Sequence, residues 1–209
     1  MKVLRNRTAS VAAAVASAAL LAGASSVVAS PANAAAAVSR FDDGSFEYPK
    51  APANAFSTYA AGQAVGPWEV TGGSIDLIGK GFWQAAEGDQ SIDLNGTAAG
   101  TVSQTFTTTP GATYTVSYAL AGNPDPGQPS NLVLKTGKAL IDGQDFQDFS
   151  FNVTGKTYAN MGYVTRQFTF VATGATSTLT FASTIGSAWG PVLDNIQVRP
   201  NCCSCSTGC

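Results

Sequence analysis

The sequence predicts an all-β domain, an antiparallel β-sandwich or jelly roll. Three observations carry this. From Phe41 onward Thr, Val, Phe and Tyr are abundant, the residue types that suit a pleated, half-buried surface. Gly, Pro, Asn and Asp punctuate the text at short intervals, as turns between short strands require. No stretch repeats its apolar residues with a helical period, so about ten short strands must bury their faces against one another in layers.

Taken in order, the chain begins with Lys2, Arg5 and Arg7 and no acid, followed by an Ala-rich apolar run from Ala9 to Ala29. Ser30-Pro31-Ala32-Asn33-Ala34 then ends in a small-x-small pattern. This is the order of a secretory signal peptide. Residues 1–34 are expected to be removed and the protein to be secreted, extracellular or associated with the cell surface. The run is mostly Ala and Ser, which partition weakly into lipid, so no transmembrane segment is expected in the mature form. Residues 35–40 read as an Ala-rich leader, 41–200 as the β-sandwich domain and 201–209 as a Cys-rich tail.

Within the domain, Thr101 to Thr108 reads as the clearest strand. Pro110-Gly111 supplies a turn, and Ala112 to Ala121 places Tyr114, Val116, Tyr118 and Leu120 on one face by period 2. This pair is expected to form a hairpin. Asn123 to Pro129 is a loop with three prolines, and strands are expected over Asn131–Thr136, Phe146–Val153, Tyr163–Val171, Ser177–Ile185 and Val192–Val198. In the last of these, Val192, Asp194, Ile196 and Val198 are expected to share a face.

Charge and composition narrow the function. Charged residues make up 11% of the chain. Once Lys2, Arg5 and Arg7 leave with the leader, eight basic residues face thirteen acidic ones. No basic patch exists to neutralise phosphates, so nucleic acid is not an expected partner. Histidine is absent, which removes the commonest general base and zinc ligand and excludes a Ser-His-Asp triad. Glycoside hydrolysis needs two placed carboxylates. Asp76, Glu87, Asp89 and Asp93 are available, but no local pattern singles out a pair, so a non-catalytic role is expected.

Several blocks occur in a recognisable order: Gly44-Ser45-Phe46-Glu47, Trp68 with Val70, Gly73-Ser74-Ile75-Asp76, Trp83, and Ser91-Ile92-Asp93-Leu94-Asn95-Gly96. Ser103-Gln104-Thr105-Phe106, Pro110-Gly111 with Tyr114, Asn160-Met161-Gly162 and Gly190-Pro191-Val192-Leu193-Asp194 follow. Together they resemble the choice-of-anchor C family, secreted bacterial domains similar to plant cell-wall proteins built on a galactose-binding-like β-sandwich. The resemblance runs from about Phe41 to Arg199. It implies that fold, an extracellular setting and affinity for wall or matrix polysaccharide, and it implies no reaction. Two positions depart from the pattern. Tyr163 stands where the family usually has Trp, and the C-terminus holds a cysteine cluster in place of a sortase motif.

Candidate site residues follow. Sugar binding uses flat aromatic faces with amides and carboxylates for the hydroxyls. Trp83 with Gln84, Asn123 in its proline-rich loop, Trp189 beside Gly190, and Tyr59 fit that use. The alternative for each ring is core or loop packing, the reading assigned to Trp68. Asp93 points away from the apolar face by alternation, where it lines a site or, the favoured reading, faces solvent or makes a turn hydrogen bond.

Glu47 is expected in an early strand and Asp194 in the last, so with Asp43 (or Asp42) they would converge if the first and last strands are neighbours. They would then suit a structural Ca2+, which takes six to eight oxygen ligands; such an ion is common at this junction in galactose-binding-like domains. Alternatively they accept backbone N–H bonds. The tail cysteines Cys202, Cys203, Cys205 and Cys209 are spaced too tightly for a zinc knuckle and would oxidise outside the cell. They pair within the tail, or form disulfides with a partner chain. Two functions are thus in play: a module binding extracellular or cell-wall polysaccharide, and a structural matrix protein cross-linked through its tail.

Overall fold

A computed structural model describes residues 41–201. The expectations for the leader, residues 1–40, and for the four cysteines of the tail lie outside the described residues. Within them the chain forms twelve strands: β1 (Phe56–Ala60), β2 (Ala64–Val65), β3 (Trp68–Gly72), β4 (Ser74–Ile78), β5 (Ser91–Asp93), β6 (Thr101–Thr107), β7 (Thr113–Gly122), β8 (Leu134–Ile141), β9 (Gln144–Asn152), β10 (Val164–Val171), β11 (Thr176–Ser183) and β12 (Pro191–Pro200). They build two six-stranded sheets, β1-β4-β5-β12-β7-β10 and β2-β3-β6-β11-β8-β9. Every strand pair is antiparallel. This is the all-β jelly-roll sandwich that the alternation predicts.

The two inner faces make one core. Trp68 is fully buried, with Phe46 and Phe41 at ring distances of 5.4 and 5.7 Å. Its indole N–H donates to the Asp43 carbonyl at 3.0 Å, so a large apolar body is buried without an orphaned donor. Tyr118 on β7 meets Phe181 on β11 at 5.0 Å, which fixes the inward face of the first sheet. The segment before β1 lies along β12, where the Ile196 N–H donates to the Gly44 carbonyl at 2.8 Å. A Cβ on Gly44 would come within 1.8 Å of the Ile196 carbonyl oxygen, so only glycine permits that approach.

Four expectations are corrected. β6 and β7 do not form a hairpin: β6 pairs with β3 and β11, β7 with β12 and β10. The Pro110-Gly111 turn instead carries the chain from one sheet to the other, and the Gly111 and Thr108 amides bond to Ala172 and Ala175. Residues 131–133 are not extended; Ser130–Leu132 is a 3-10 turn and the strand begins at Leu134. Glu47 lies outside any strand. In β12 a bulge at Asn195, with φ of 46°, breaks the alternation. Asp194 lies opposite Ala119, whereas Val198 lies opposite Val116 on the other face. One inserted residue flips everything that follows.

Candidate functional site

Because Tyr118 points inward, its neighbours Ala119 and Ala121 on β7 point outward. The register carries that assignment across the first sheet. Ala121 faces Val192, Val192 faces Asp93, Asp93 faces Asp76, and Asp76 faces Thr58. The outer face of this sheet therefore holds a row with two carboxylates side by side. It is not open to solvent: Asp93 is 1% exposed and Asp194, two residues beyond Val192, is fully buried. Loops from four connections roof it over.

Asp93 ties together two of these loops and the turn that follows β5. Its Oδ1 accepts the Asn95 and Gly190 N–H groups at 2.9 and 3.1 Å, and its Oδ2 accepts the Asn123 side-chain amide at 2.8 Å. Gly190 sits so close that a Cβ would come within 2.2 Å of Asn95 Oδ1 and 2.5 Å of Asp93 Oδ1. Asn123 Oδ1 in turn accepts the Asp125 N–H at 2.9 Å, and the Tyr158 hydroxyl donates to Asp125 Oδ2 at 2.6 Å. Beneath Trp189, the Lys135 ammonium donates to Gln128 Oε1 at 2.6 Å and to the Trp189 carbonyl at 2.9 Å.

These contacts enclose a cleft of about 260 Å³. Asp76, Asp93, Asn123 and Asp125 line it together with aromatic rings from Phe56, Phe82, Trp83, Tyr158 and Trp189. Phe56 is 47% exposed, at the open edge of the sheet. Burial pushes the Asp93 carboxyl up to about 8, against the three hydrogen bonds it accepts, and the Asp76 charge adds to the rise. Burial also raises Asp76, opposed by the Thr58 hydroxyl that donates to its Oδ1 at 2.6 Å. Burial lowers the Lys135 ammonium to about 8, with Asp93 opposing. The cleft presents hydrogen-bonding oxygens and amides on its floor and ring faces on its walls. A ligand with a hydroxyl rim and an apolar C–H face matches that pattern.

The structure places the residues singled out from the sequence as follows. Trp83, Asn123 and Trp189 come together in this cleft. Trp83, however, is only 6% exposed. Its indole N–H is taken by Ser91 Oγ at 2.8 Å, and Phe82 and Tyr158 pack on it at 5.4 and 5.9 Å. The open ring face expected of Trp83 is thus closed, and Phe56 and Trp189 offer the accessible surface. Gln84 points away to a neighbouring cleft, and Tyr59 packs against the core. Asp93 is buried and makes the turn hydrogen bond to Asn95 rather than facing solvent. Phe56, Phe82, Tyr158 and Asp125 were not singled out. The alternation of Phe56 with Thr58, matched across the sheet by Ile78 and Asp76, is the signal that marks the first.

The first and last segments are neighbours as expected, and Asp43, Glu47 and Asp194 each accept backbone N–H bonds, the alternative reading of these carboxylates. Asp43 accepts the Glu47 and Tyr48 amides at 2.8 and 3.3 Å. Glu47 Oε1 accepts the Asp89 and Gln90 amides at 2.7 and 2.9 Å, and its Oε2 pairs with Lys50 at 2.6 Å. Asp194 Oδ2 accepts the Ala86 and Glu87 amides at 2.7 and 2.9 Å. Among the described residues no three carboxylate-bearing residues gather as a metal group.

Known proteins were compared with this chain. Halomucin of Haloquadratum walsbyi (strain DSM 16790 / HBSQ001) is 26% identical over 147 residues, covering 69% of this chain and 2% of halomucin. The chain thus spans a small fraction of that relative's length. Among solved structures, a family 35 carbohydrate binding module from Clostridium thermocellum superposes with a TM-score of 0.45 at 12% identity, covering 69% of this chain and 97% of the module. The CBM22-1 xylan-binding domain from Paenibacillus barcinonensis Xyn10C gives 0.45 at 18% identity, covering 72% and 97%. The profile of the family described as protein of unknown function (DUF642) matches residues 39–199. That match spans nearly the whole described fold, and the chain belongs to the DUF642 family.

Proposed function

We propose that this protein is a secreted, non-catalytic module that binds extracellular or cell-wall polysaccharide through the cleft on the outer face of the first sheet. One observation carries the reading: Asp76, Asp93, Asn123 and Asp125 converge with Phe56, Tyr158 and Trp189 in one cleft of about 260 Å³. Carboxylates and amides hold sugar hydroxyls, and exposed rings stack on the C–H face. The resemblance to the choice-of-anchor C family supports an extracellular setting. A glycan array probed with the folded protein tests the idea. A coherent set of sugars should bind, and Trp189→Ala should weaken binding at least about tenfold, as for an aromatic anchor, with an unchanged fold by circular dichroism. A blank array from folded protein would overturn it.

The cysteine cluster supports a second reading, a structural surface or matrix protein joined to a partner chain through Cys202, Cys203, Cys205 and Cys209. Non-reducing gels separate the two. Disulfide-linked oligomers that vanish when the tail is deleted, together with a blank array, would favour the structural role.

A further inference from the structure

We infer that the domain carries a second ligand site, on the opposite flank of a ridge from the aromatic cleft, shaped for an uncharged, hydroxyl-rich ring such as a neutral hexose. The outer face of the first sheet continues past the cleft across β12, β7 and β10, where Asp194, Ala119 and Thr165 form the next register row. Residues 83–86 cross this face as a ridge. Asp194 holds it from below through the Ala86 and Glu87 amides. From the side, the Gln84 N–H donates to the Tyr158 carbonyl at 2.8 Å, and the Met161 N–H donates to Gln84 Oε1 at 3.1 Å. Adjacent residues on an extended segment point opposite ways. Trp83 therefore walls the aromatic cleft, and Gln84 walls a second one.

That second cleft has a volume of about 420 Å³, larger than the first and within the range of small-ligand sites. Its chemistry differs from that of its neighbour. Gln84, Asn160 and Asn195 contribute carboxamides, Thr165 contributes a hydroxyl, and no charged side chain lines it. Amides and hydroxyls both donate and accept, as sugar hydroxyls do, and they offer nothing to pair with an ionic ligand. One backbone feature shapes this cleft. The bulge at Asn195, with φ of 46°, re-aims the side chains that follow it, and Asn195 lines the cleft.

Two sites on opposite flanks of one ridge would let a single domain hold two glycan chains, or two stretches of one, with the gain in avidity that linkage gives. The ligand class rests on the glycan-binding reading above; the cleft and its lining do not.

The test is backbone-amide NMR of the full-length secreted protein titrated separately with cellotetraose, β-1,4-galactotetraose and chitotetraose. At least one probe should shift two sets of amides, one around Asp93, Asn123 and Trp189 and one around Gln84, Ala119 and Asn195. Combining Asn160→Ala with Thr165→Val should weaken the second set at least tenfold and spare the first, while Trp189→Ala should do the reverse. If the first set shifts with some probe and the second with none, the second site is overturned and the glycan reading stands. If the second shifts alone, the second site stands and the aromatic cleft loses its assigned role. Stillness in both sets overturns both. A second set that shifts equally in the Asn160→Ala/Thr165→Val variant also overturns the site.

Discussion

On the outer face of the second sheet, Ser103 lies opposite Thr180 and Thr105 opposite Thr178. Their hydroxyls pair at 2.8 Å in both cases, and Thr105 is exposed. On the outer face of the first sheet the equivalent row carries Asp76 and Asp93, and Asp93 is 1% exposed. Both faces come from the same alternation of inward apolar and outward polar residues. What separates them is the length of the connections. β8 and β9 are joined through Asp142-Gly143, both at positive φ (51° and 80°), the turn type that suits a tight hairpin. The connections after β4, β7, β9 and β11 are long, and their residues reach Asp93, Asp194 and one another. A polar face left in water is a surface. The same face roofed by loops becomes a site, because its carboxylates lose hydration and hold backbone instead.

That contrast sets the order of expected effects. Asp93→Ala should be the most damaging change. It leaves the Asn95 and Gly190 amides and the Asn123 side chain unpaired under the roof, and should cost about 3 kcal/mol in urea unfolding. An unchanged midpoint would remove Asp93 from its organising role.

The next effect is one of pH. Burial raises Asp93 to about 8 and Asp194 to about 7, so the native state holds protons that the unfolded chain releases near pH 4. These two groups therefore contribute stability that is fully present below about pH 4 and lost as pH rises through about 7 to 8. Unfolding free energy should fall between pH 5 and pH 9, and Asp93→Asn should flatten that fall. Glu47 acts with the opposite sign. Its burial raises the carboxyl, but the Lys50 contact and the Asp89 and Gln90 amides outweigh it and leave it lowered. Its contribution is present above about 4.5 and lost in acid. A flat or rising profile from pH 5 to 9 would contradict the assignment.

Calcium should raise the melting temperature, and chelator lower it, if Asp43, Glu47 and Asp194 hold a structural ion besides the amides they accept; no change with either would leave these carboxylates to the amides alone. The smallest effect belongs to the open face. Thr105→Ala should change stability by less than about 0.5 kcal/mol, and a larger loss would mean that the hydroxyl ladder matters more than its exposure implies.

Much of the fold was legible because period-2 alternation is local. Tyr114, Val116, Tyr118 and Leu120 could be placed on one face of β7, and Trp68 in the core, without any knowledge of partners. Strand pairing was harder. The Pro110-Gly111 turn looks the same whether the chain returns along the same sheet or crosses to the other. In the site, Asn123 and Trp189 were findable as amide and ring in turn-rich loops. Trp83 misled because a tryptophan beside a glycine-containing loop gives no sign that Ser91 will take its N–H. Asp125 and Tyr158 could not be paired in advance, because 33 residues separate them.

By itself the sequence determined the all-β class, the inward and outward faces of its clearest strands, and the absence of histidine chemistry. Each of these follows from composition or from nearest-neighbour alternation along the backbone. The tertiary structure alone decided which outer face became a site, which carboxylates hold loops, and which flank of the ridge each candidate lines. Those outcomes depend on register between distant strands and on the paths of four long connections, and both are set by packing across the sandwich.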